Sequence, residues 1–147
     1  AFISGREVLT YFDEDLLGNE SSMLIHVQHN WWNCGVKLQK HISNQTLPFG
    51  ELIQFAGKKI LVIDSAWSKQ EFEMAEKLHV DIVMLSHNPK INIDQLQKLV
   101  QFNEIIFDSS NKKWRIHYWK KDCEKQKVKY WDVNTTGAYL NNTKEVV

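Results

Sequence analysis

Charge of either sign in excess is the first thing this sequence lacks. Lys+Arg and Asp+Glu both total 18 over 147 residues, so the formal net charge is zero. That removes any global electrostatic reason to bind nucleic acid or an acidic membrane and leaves only local patches. Cysteine is scarce, with Cys34 and Cys123 alone. Two distant cysteines form neither a metal-binding spacing nor a redox motif. One disulfide or two free thiols remain open, and a domain of this size needs no staple, which favours free thiols. No apolar run approaches the length of a membrane span, and no signal peptide opens the chain. There is no phosphate-cradling Gly-rich loop, no G-x-S-x-G elbow and no cysteine nucleophile with a partner. Four N-x-S/T sequons, at Asn19, Asn44, Asn134 and Asn141, are of a kind frequent by chance.

What is present is enough chain for one domain with a proper core. Six tryptophans supply core area and stacking surface. The chain opens at Ala1, without Met and directly in an apolar stretch. It reads as a single soluble domain over 1–147, excised from a longer polypeptide, with a variable region at 1–50 and a β-α-β-α-β-α-β core at 51–147.

Two stretches echo each other. AFISGREVLTYFD carries apolar residues into Ser4-Gly5, then a strand, then Asp13. LIQFAGKKILVID does the same around Ala56-Gly57 and ends on Asp64. Each predicts a β-hairpin with a Gly-containing turn. Between them, Ser21 to Gln28 fits a strand or a short helix, and Asn44 to Gly50 has the composition of a loop.

From Lys59 the pattern is regular. Ile60 to Ile63 is a continuous apolar strand. Ser68 to Glu71 is a capping box, followed at helical spacing by Phe72, Ala75, Leu78 and His79. Ile82 to Leu85 is the next strand. Asn92 or Asp94 caps a helix with Leu96, Leu99 and Val100 inward. Ile105 to Phe107 is a third strand. Ser110 or Asn111 caps a helix through about Glu124, with Ile116, Trp119 and Cys123 on one face. Val128 to Val133 and Ala138 to Leu140 read as a closing strand pair around the Asn134-Gly137 turn. Unbroken apolar strands alternating with helices predict an α/β fold, a layered parallel sheet covered by helices.

In such a sheet the carboxyl ends of the strands share one edge, where ligand sites collect. The residues leaving those ends are Asp64-Ser65, Ser86-His87-Asn88 and Asp108-Ser109-Ser110-Asn111. Carboxylates with an imidazole suit a divalent metal such as zinc or manganese, or general acid/base work. The candidate rim is therefore Asp64, His87 and Asp108, with Asn88, Ser109 and Asn111 as auxiliaries. The same residue types are ordinary helix caps and turn formers, so both readings stand. His26 and His29 have the H-x-x-H spacing that could share a metal on a helix, with no carboxylate in register. Lys112, Lys113, Trp114, Arg115, Trp119 and Lys120 interleave cations with aromatics. That pattern fits single-stranded DNA, or else the solvated basic face of an amphipathic helix.

KKILVIDSA, VDIVMLSHNPKINIDQLQKLVQFNEIIFDSSNKKWRIHYWKKDCEKQKVKYWDVNTTGAYL and, more loosely, ISGREVLTYFD resemble the carboxyl-terminal region of ComEC-type competence proteins, most of all the Bacteroidetes branch. The resemblance covers Phe55 to Leu140 well and Ala1 to Gly50 loosely. It implies a polytopic DNA-uptake channel whose terminal domain is metallo-β-lactamase-like, a proposed nuclease for the non-transforming strand. Residue by residue, the family's metal-ligating Asp after a Gly falls on Asp64, with Ile63 in place of the Gly. The family's paired-histidine turn falls on His87, with Asn88 in place of the second ring. The serine-and-asparagine turn after the next strand falls on Asp108 to Asn111. The final Gly-Ala falls on Gly137-Ala138. The H-x-H-x-D-H motif that supplies most of the metal ligands is absent from the 147 residues; in the family's order it would precede Ala1.

The resemblance thus implies a partial, degenerate metallo-β-lactamase α-β-β-α sandwich. It implies an accessory domain of an inner-membrane channel on the extracytoplasmic side, without catalytic activity. The transmembrane part of the same polypeptide and single-stranded DNA are the expected partners, and no cofactor is expected. Two rivals remain: a zinc- or manganese-dependent nuclease using Asp64, His87 and Asp108, and an unrelated doubly wound module binding a small ligand or a protein.

Overall fold

The computed structural model of the chain describes residues 2–4, 7–9, 38–40, 45–47, 50–65, 67 and 76–140. The chain divides into two compact units, 1–44 and 45–147. In the first, β1 (Phe2–Ser4) and β2 (Glu7–Leu9) pair antiparallel, as the repeated hairpin pattern predicts. A third strand, β3 (Leu38–Lys40), joins β2 in parallel. Ser21 to Gln28, His26, His29 and Cys34 lie outside the described residues, as does the capping box at Ser68 to Glu71.

The second unit begins with β4 (Gln45–Leu47), β5 (Gly50–Phe55) and β6 (Lys58–Ile63). It continues through β7 (Leu78–His79), β8 (Ile82–Leu85), α1 (Ile93–Leu99), β9 (Val100–Gln101) and β10 (Glu104–Phe107). It closes with α2 (Lys113–Gln126), β11 (Lys129–Asp132) and α3 (Val133–Thr136). The main sheet has the order β11-β10-β8-β6-β5-β4. β6, β8, β10 and β11 run parallel, while β5 and β4 add an antiparallel edge. The result is the α/β layered class that the alternating pattern predicts.

From β6 to β11 the strand order never reverses, so right-handed crossovers keep the helices on one face. The core confirms it. Leu61, Ile63, Val83, Leu85, Ile105 and Phe107 pack against Ile93, Leu96 and Leu99 of α1 and Ile116, Trp119 and Cys123 of α2. Alternate residues point to the other face, where Ile53, Ile60, Val62, Ile82 and Ile106 are buried too. Burial on both sides is why these strands read as unbroken apolar runs.

Local chemistry sets the boundaries. Ala56 (φ 49°) and Gly57 (φ 73°) form a two-residue turn with both φ values positive, the twist a tight hairpin needs. Gly50 is required by space, since a Cβ there would lie 2.5 Å from the Val62 carbonyl oxygen. Asn92 caps α1, and the Gln95 side chain accepts its amide at 3.2 Å. α2 ends with Lys127 left-handed (φ 58°), Val128 N donating to the Cys123 carbonyl at 2.9 Å.

Four expectations are corrected. Asn44 to Gly50 is not all loop, because Gln45–Leu47 pairs with β5 as an edge strand. Leu78 and His79 are not helical; they pair in parallel with Val100 and Gln101, and Val80 N donates to the Gln101 carbonyl. α2 is capped at Lys112, not at Ser110 or Asn111, because those two side chains are engaged elsewhere. The end of the chain is not a strand pair. β11 lies parallel to β10, and Asp132 then caps the short α3 by accepting the Asn134 amide at 3.0 Å. An acid that captures the next amides turns the chain into a helical turn rather than a hairpin.

Candidate functional site

The carboxyl ends of β6, β8, β10 and β11 deliver Asp64, Ser86-His87-Asn88, Asp108-Ser109-Ser110-Asn111 and Asp132 to one rim. Asp64 leaves β6 in a turn closed by Trp67 N on the Asp64 carbonyl at 3.1 Å. The turn after β10 is built by Asp108 itself. Its Oδ1 accepts Ser110 N at 2.8 Å and Ser109 Oγ at 3.3 Å. This is the local side-chain-to-backbone capture that Asp favours at strand ends.

Ser86, 6% exposed, stands at the centre. Its hydroxyl donates to Asp108 Oδ2 at 2.9 Å. A hydroxyl has one proton, so the remaining contacts must donate to it. Ser110 Oγ lies 3.1 Å away and His87 Nδ1 3.0 Å away, which places a proton on Nδ1. Ser110 Oγ in turn accepts the His87 amide at 2.8 Å. The serine therefore lies between acid and imidazole, with its proton given to the acid. A nucleophilic serine needs the reverse, with the imidazole taking that proton and the hydroxyl open to substrate.

His87 (φ 56°) and Asn88 (φ 58°) are both left-handed. Two such residues in succession, neither of them glycine, must be held by their surroundings. Asn111, 4% exposed, does much of the holding. Its Oδ1 accepts Asn88 N at 2.9 Å, and its Nδ2 donates to the carbonyls of Leu85 and Asp108 at 2.6 and 2.9 Å. Asn88 reciprocates, its Oδ1 accepting Lys112 N at 2.6 Å at the start of α2. The two strand ends are thus cross-tied in both directions.

Of the predicted rim, the structure joins His87 to Asp108 through Ser86 and puts Asp64 at the end of the strand beside β8. Asn88, Ser109 and Asn111 all belong to the network. Both Asp108 oxygens accept hydrogens and His87 Nδ1 faces the Ser86 hydroxyl, so the acid and the imidazole are tied into one network. Among the described residues no three His, Cys, Asp or Glu side chains are grouped so that they could hold a metal.

The predicted DNA surface splits in two. Trp114 is 53% exposed, with the Arg115 guanidinium 4.8 Å over its ring. Lys112 and Lys113 are exposed beside it. Trp119 is corrected to the core: it stacks on Phe107 at 5.5 Å and donates Nε1–H to the Ile91 carbonyl at 2.9 Å. Lys120 is corrected as well, being ion-paired to buried Asp132 at 2.5 Å. Burial alone would raise the Asp132 carboxyl. Hydrogen bonds from Lys120, Thr135 and the Asn134 amide, with the Lys120 charge, outweigh it and hold the group below its usual range.

Tyr118, 61% exposed and edge-on to Trp114 at 6.3 Å, completes the outer face and was missed in the sequence. Its signal was the i, i+4 spacing from Trp114. The sequence places Ser86 and Ser110 at strand ends, with Ser110 also offered as a helix cap, and puts Asp132 in a strand, where it is the last residue of β11. Only the fold reveals their shared partners.

A layered α/β domain whose strand-end rim is a closed hydrogen-bond network is the class these observations define. The family model for the ComEC C-terminal domain matches residues 1–143, and the chain belongs to that family. No curated protein and no solved structure matches it. Membership ties the chain to DNA uptake in competence and is consistent with its being part of a larger, membrane-associated channel protein. Among the described residues no helix is long and apolar enough to cross a membrane.

Proposed function

We propose that the chain is a catalytically silent accessory domain of a ComEC-type DNA-uptake channel, a degenerate relative of the metallo-β-lactamase sandwich. In this reading it faces the extracytoplasmic side. The exposed face of α2 touches single-stranded DNA, and the transmembrane part of the same polypeptide is its other partner. The observation that carries the silent assignment is the state of Asp108, whose two oxygens accept three hydrogens from Ser86, Ser109 and Ser110. Hydrolysis by a metal-bound water needs several ligands with lone pairs turned to one point. Here three of the four acceptor positions of Asp108 are turned to neighbouring serines, and Asn88 stands where the resemblance puts a second imidazole. No hydrolytic step is assigned to the rim. The exposed Trp114-Arg115-Tyr118 group supports the DNA contact, since bases stack on such faces without sequence preference.

The test is incubation of the 147-residue chain with single- and double-stranded DNA in manganese or zinc. No cleavage above a protein-free control is expected. Cleavage that disappears in His87→Ala would overturn the assignment.

A further inference from the structure

At the opposite edge from the rim, where β6, β8, β10 and β11 begin, lies a cavity of about 370 Å³. It holds an anomaly. Across the sheet the register row runs Ile53, Ile60, Ile82, Glu104, Lys129. The three isoleucines are 5% exposed or less, and Glu104 in the same row is 7% exposed. A carboxylate in an aliphatic row is costly unless it is paired. Tyr139 Oη donates to it at 2.6 Å and Lys129 Nζ lies at 3.3 Å, from a side chain that is 75% exposed.

The walls are equally specific. Trp131 and Tyr139 meet at 86° with centroids 5.7 Å apart. Their polar ends are committed, Trp131 Nε1–H to the Gly137 carbonyl at 2.9 Å and Tyr139 to Glu104. The rings are therefore clamped with aromatic surface lining the space. Asp81 Oδ2 accepts Lys59 N at 2.8 Å and enters no ion pair among the described residues. Lys58, half-buried, also lines the cavity, and no ion pair or hydrogen bond of its ammonium is present among the described residues.

Two ammonium groups and two carboxylates thus surround an aromatic and aliphatic wall. A ligand with one charge would always meet like charge in so small a space. A ligand carrying both charges can be matched on each side. We propose that this cavity binds a small zwitterion with an apolar side chain, of the chemical class of a free α-amino acid. Its carboxylate faces Lys58 and Asn103, its ammonium faces Asp81 and Glu104, and its side chain lies on Ile82 and Trp131. The site is independent of the rim and of the silent assignment.

The test follows the Trp131 indole and Glu104 amide resonances of the 147-residue chain during titration with L-phenylalanine, 2-phenylethylamine and 3-phenylpropanoate. Saturable shifts are expected for L-phenylalanine at millimolar concentration, with binding of the two singly charged analogues weaker by about ten-fold or more. Glu104→Gln keeps the shape and a hydrogen bond to Tyr139, and Lys58→Met changes a half-buried side chain. Each is expected to weaken L-phenylalanine about ten-fold, with the unliganded spectrum otherwise native. Equal binding by the amine or the acid, no saturation by L-phenylalanine, or an unaltered affinity in Lys58→Met would each overturn the proposal. Should Glu104→Gln fail to fold, Lys58→Met and the analogue series decide alone.

Discussion

Ser86 and Asp108, 22 residues apart, share one hydrogen bond of 2.9 Å, and the end of β8 is tied to the end of β10 through it. Ser86 is buried, so a lost partner is not replaced cheaply by water. Asp108→Ala and Ser86→Ala are each expected to lower stability by ~1–3 kcal/mol, read from urea-denaturation midpoints. Because each change removes the same bond, the double variant should lose less than the sum of the two. Strict additivity would mean that the two side chains are not coupled.

Asn88 tests the cross-tie. At φ 58° a Cβ is strained, and the side chain is kept for its bond to Lys112 N. Asn88→Ala loses the bond and keeps the strain. Asn88→Gly loses the bond but relieves the strain. Glycine is therefore expected to be the more stable replacement by ~1 kcal/mol, with both below the parent. Alanine matching glycine in thermal melts would contradict the backbone argument.

The parallel strands were legible because burial on both faces leaves an apolar run with no competing period, as in Ile60–Ile63 and Ile82–Leu85. The two hairpins were legible from Gly5 and Gly57. The rim followed from topology alone, since parallel strands end on one side. What escaped was set by partners distant in sequence. Leu78 and His79 have helical spacing, yet the two-residue bridge to Val100 and Gln101 decides their form. Ser110 and Asn111 have cap chemistry, but the β8 turn takes it. Trp119 fits both the apolar face with Ile116 and Cys123 and the basic surface, and its stacking on Phe107 shows that the helix phase decides for the core. For the rim, the strand order put Asp64, His87 and Asp108 along one edge, but nothing in the sequence showed that Ser86 would stand between His87 and Asp108 and tie them together.

That helix phase makes the two tryptophans of α2 separable. Trp119→Ala should destabilise the chain by ~3–5 kcal/mol, through a core cavity and an orphaned Ile91 carbonyl. Trp114→Ala, at an exposed site, should change stability by no more than about 0.5 kcal/mol. The same Trp114→Ala change is expected to weaken binding of an oligothymidine measured by anisotropy, by ~1–3 kcal/mol if one base stacks there. Raising salt should weaken the parent further, through Lys112, Lys113 and Arg115. Unchanged affinity in Trp114→Ala would remove α2 from the DNA surface.

Asp132 carries a pH dependence. Its folded carboxyl lies below the ordinary value of 3.8. The stability it contributes is therefore whole above that value, shrinks as pH falls through the folded pKa, and is gone below it. Asp132→Asn should flatten this part of the acid-denaturation curve. Lys120→Met should be worse than Asp132→Asn at pH 7, by ~1–3 kcal/mol, since it leaves a buried charge without its partner. The reverse order in thermal melts at pH 7 would show that the pair is dispensable.

Cys123 gives the sharpest readout of the core. It is fully buried and free, under α2 against the sheet. Burial, and then the neighbouring charges of Asp122 and Glu124, push its thiol from the usual 9.0 up to about 12. The thiolate is the reactive form, so the native thiol should be inert at pH 8. In a Cys34→Ser background, Ellman's reagent should find no thiol until denaturant is added, and then one. The linkage has a definite sign. The unfolded thiol ionises from about pH 9 while the folded one keeps its proton, so the folded state loses stability as pH rises above the unfolded value. Cys123→Ala should remove that alkaline slope while leaving a small cavity, and Cys123→Ser should be worse than alanine because it buries a hydroxyl in an apolar cluster. Rapid labelling of the native chain at pH 8 would show that α2 does not cover the sheet as described.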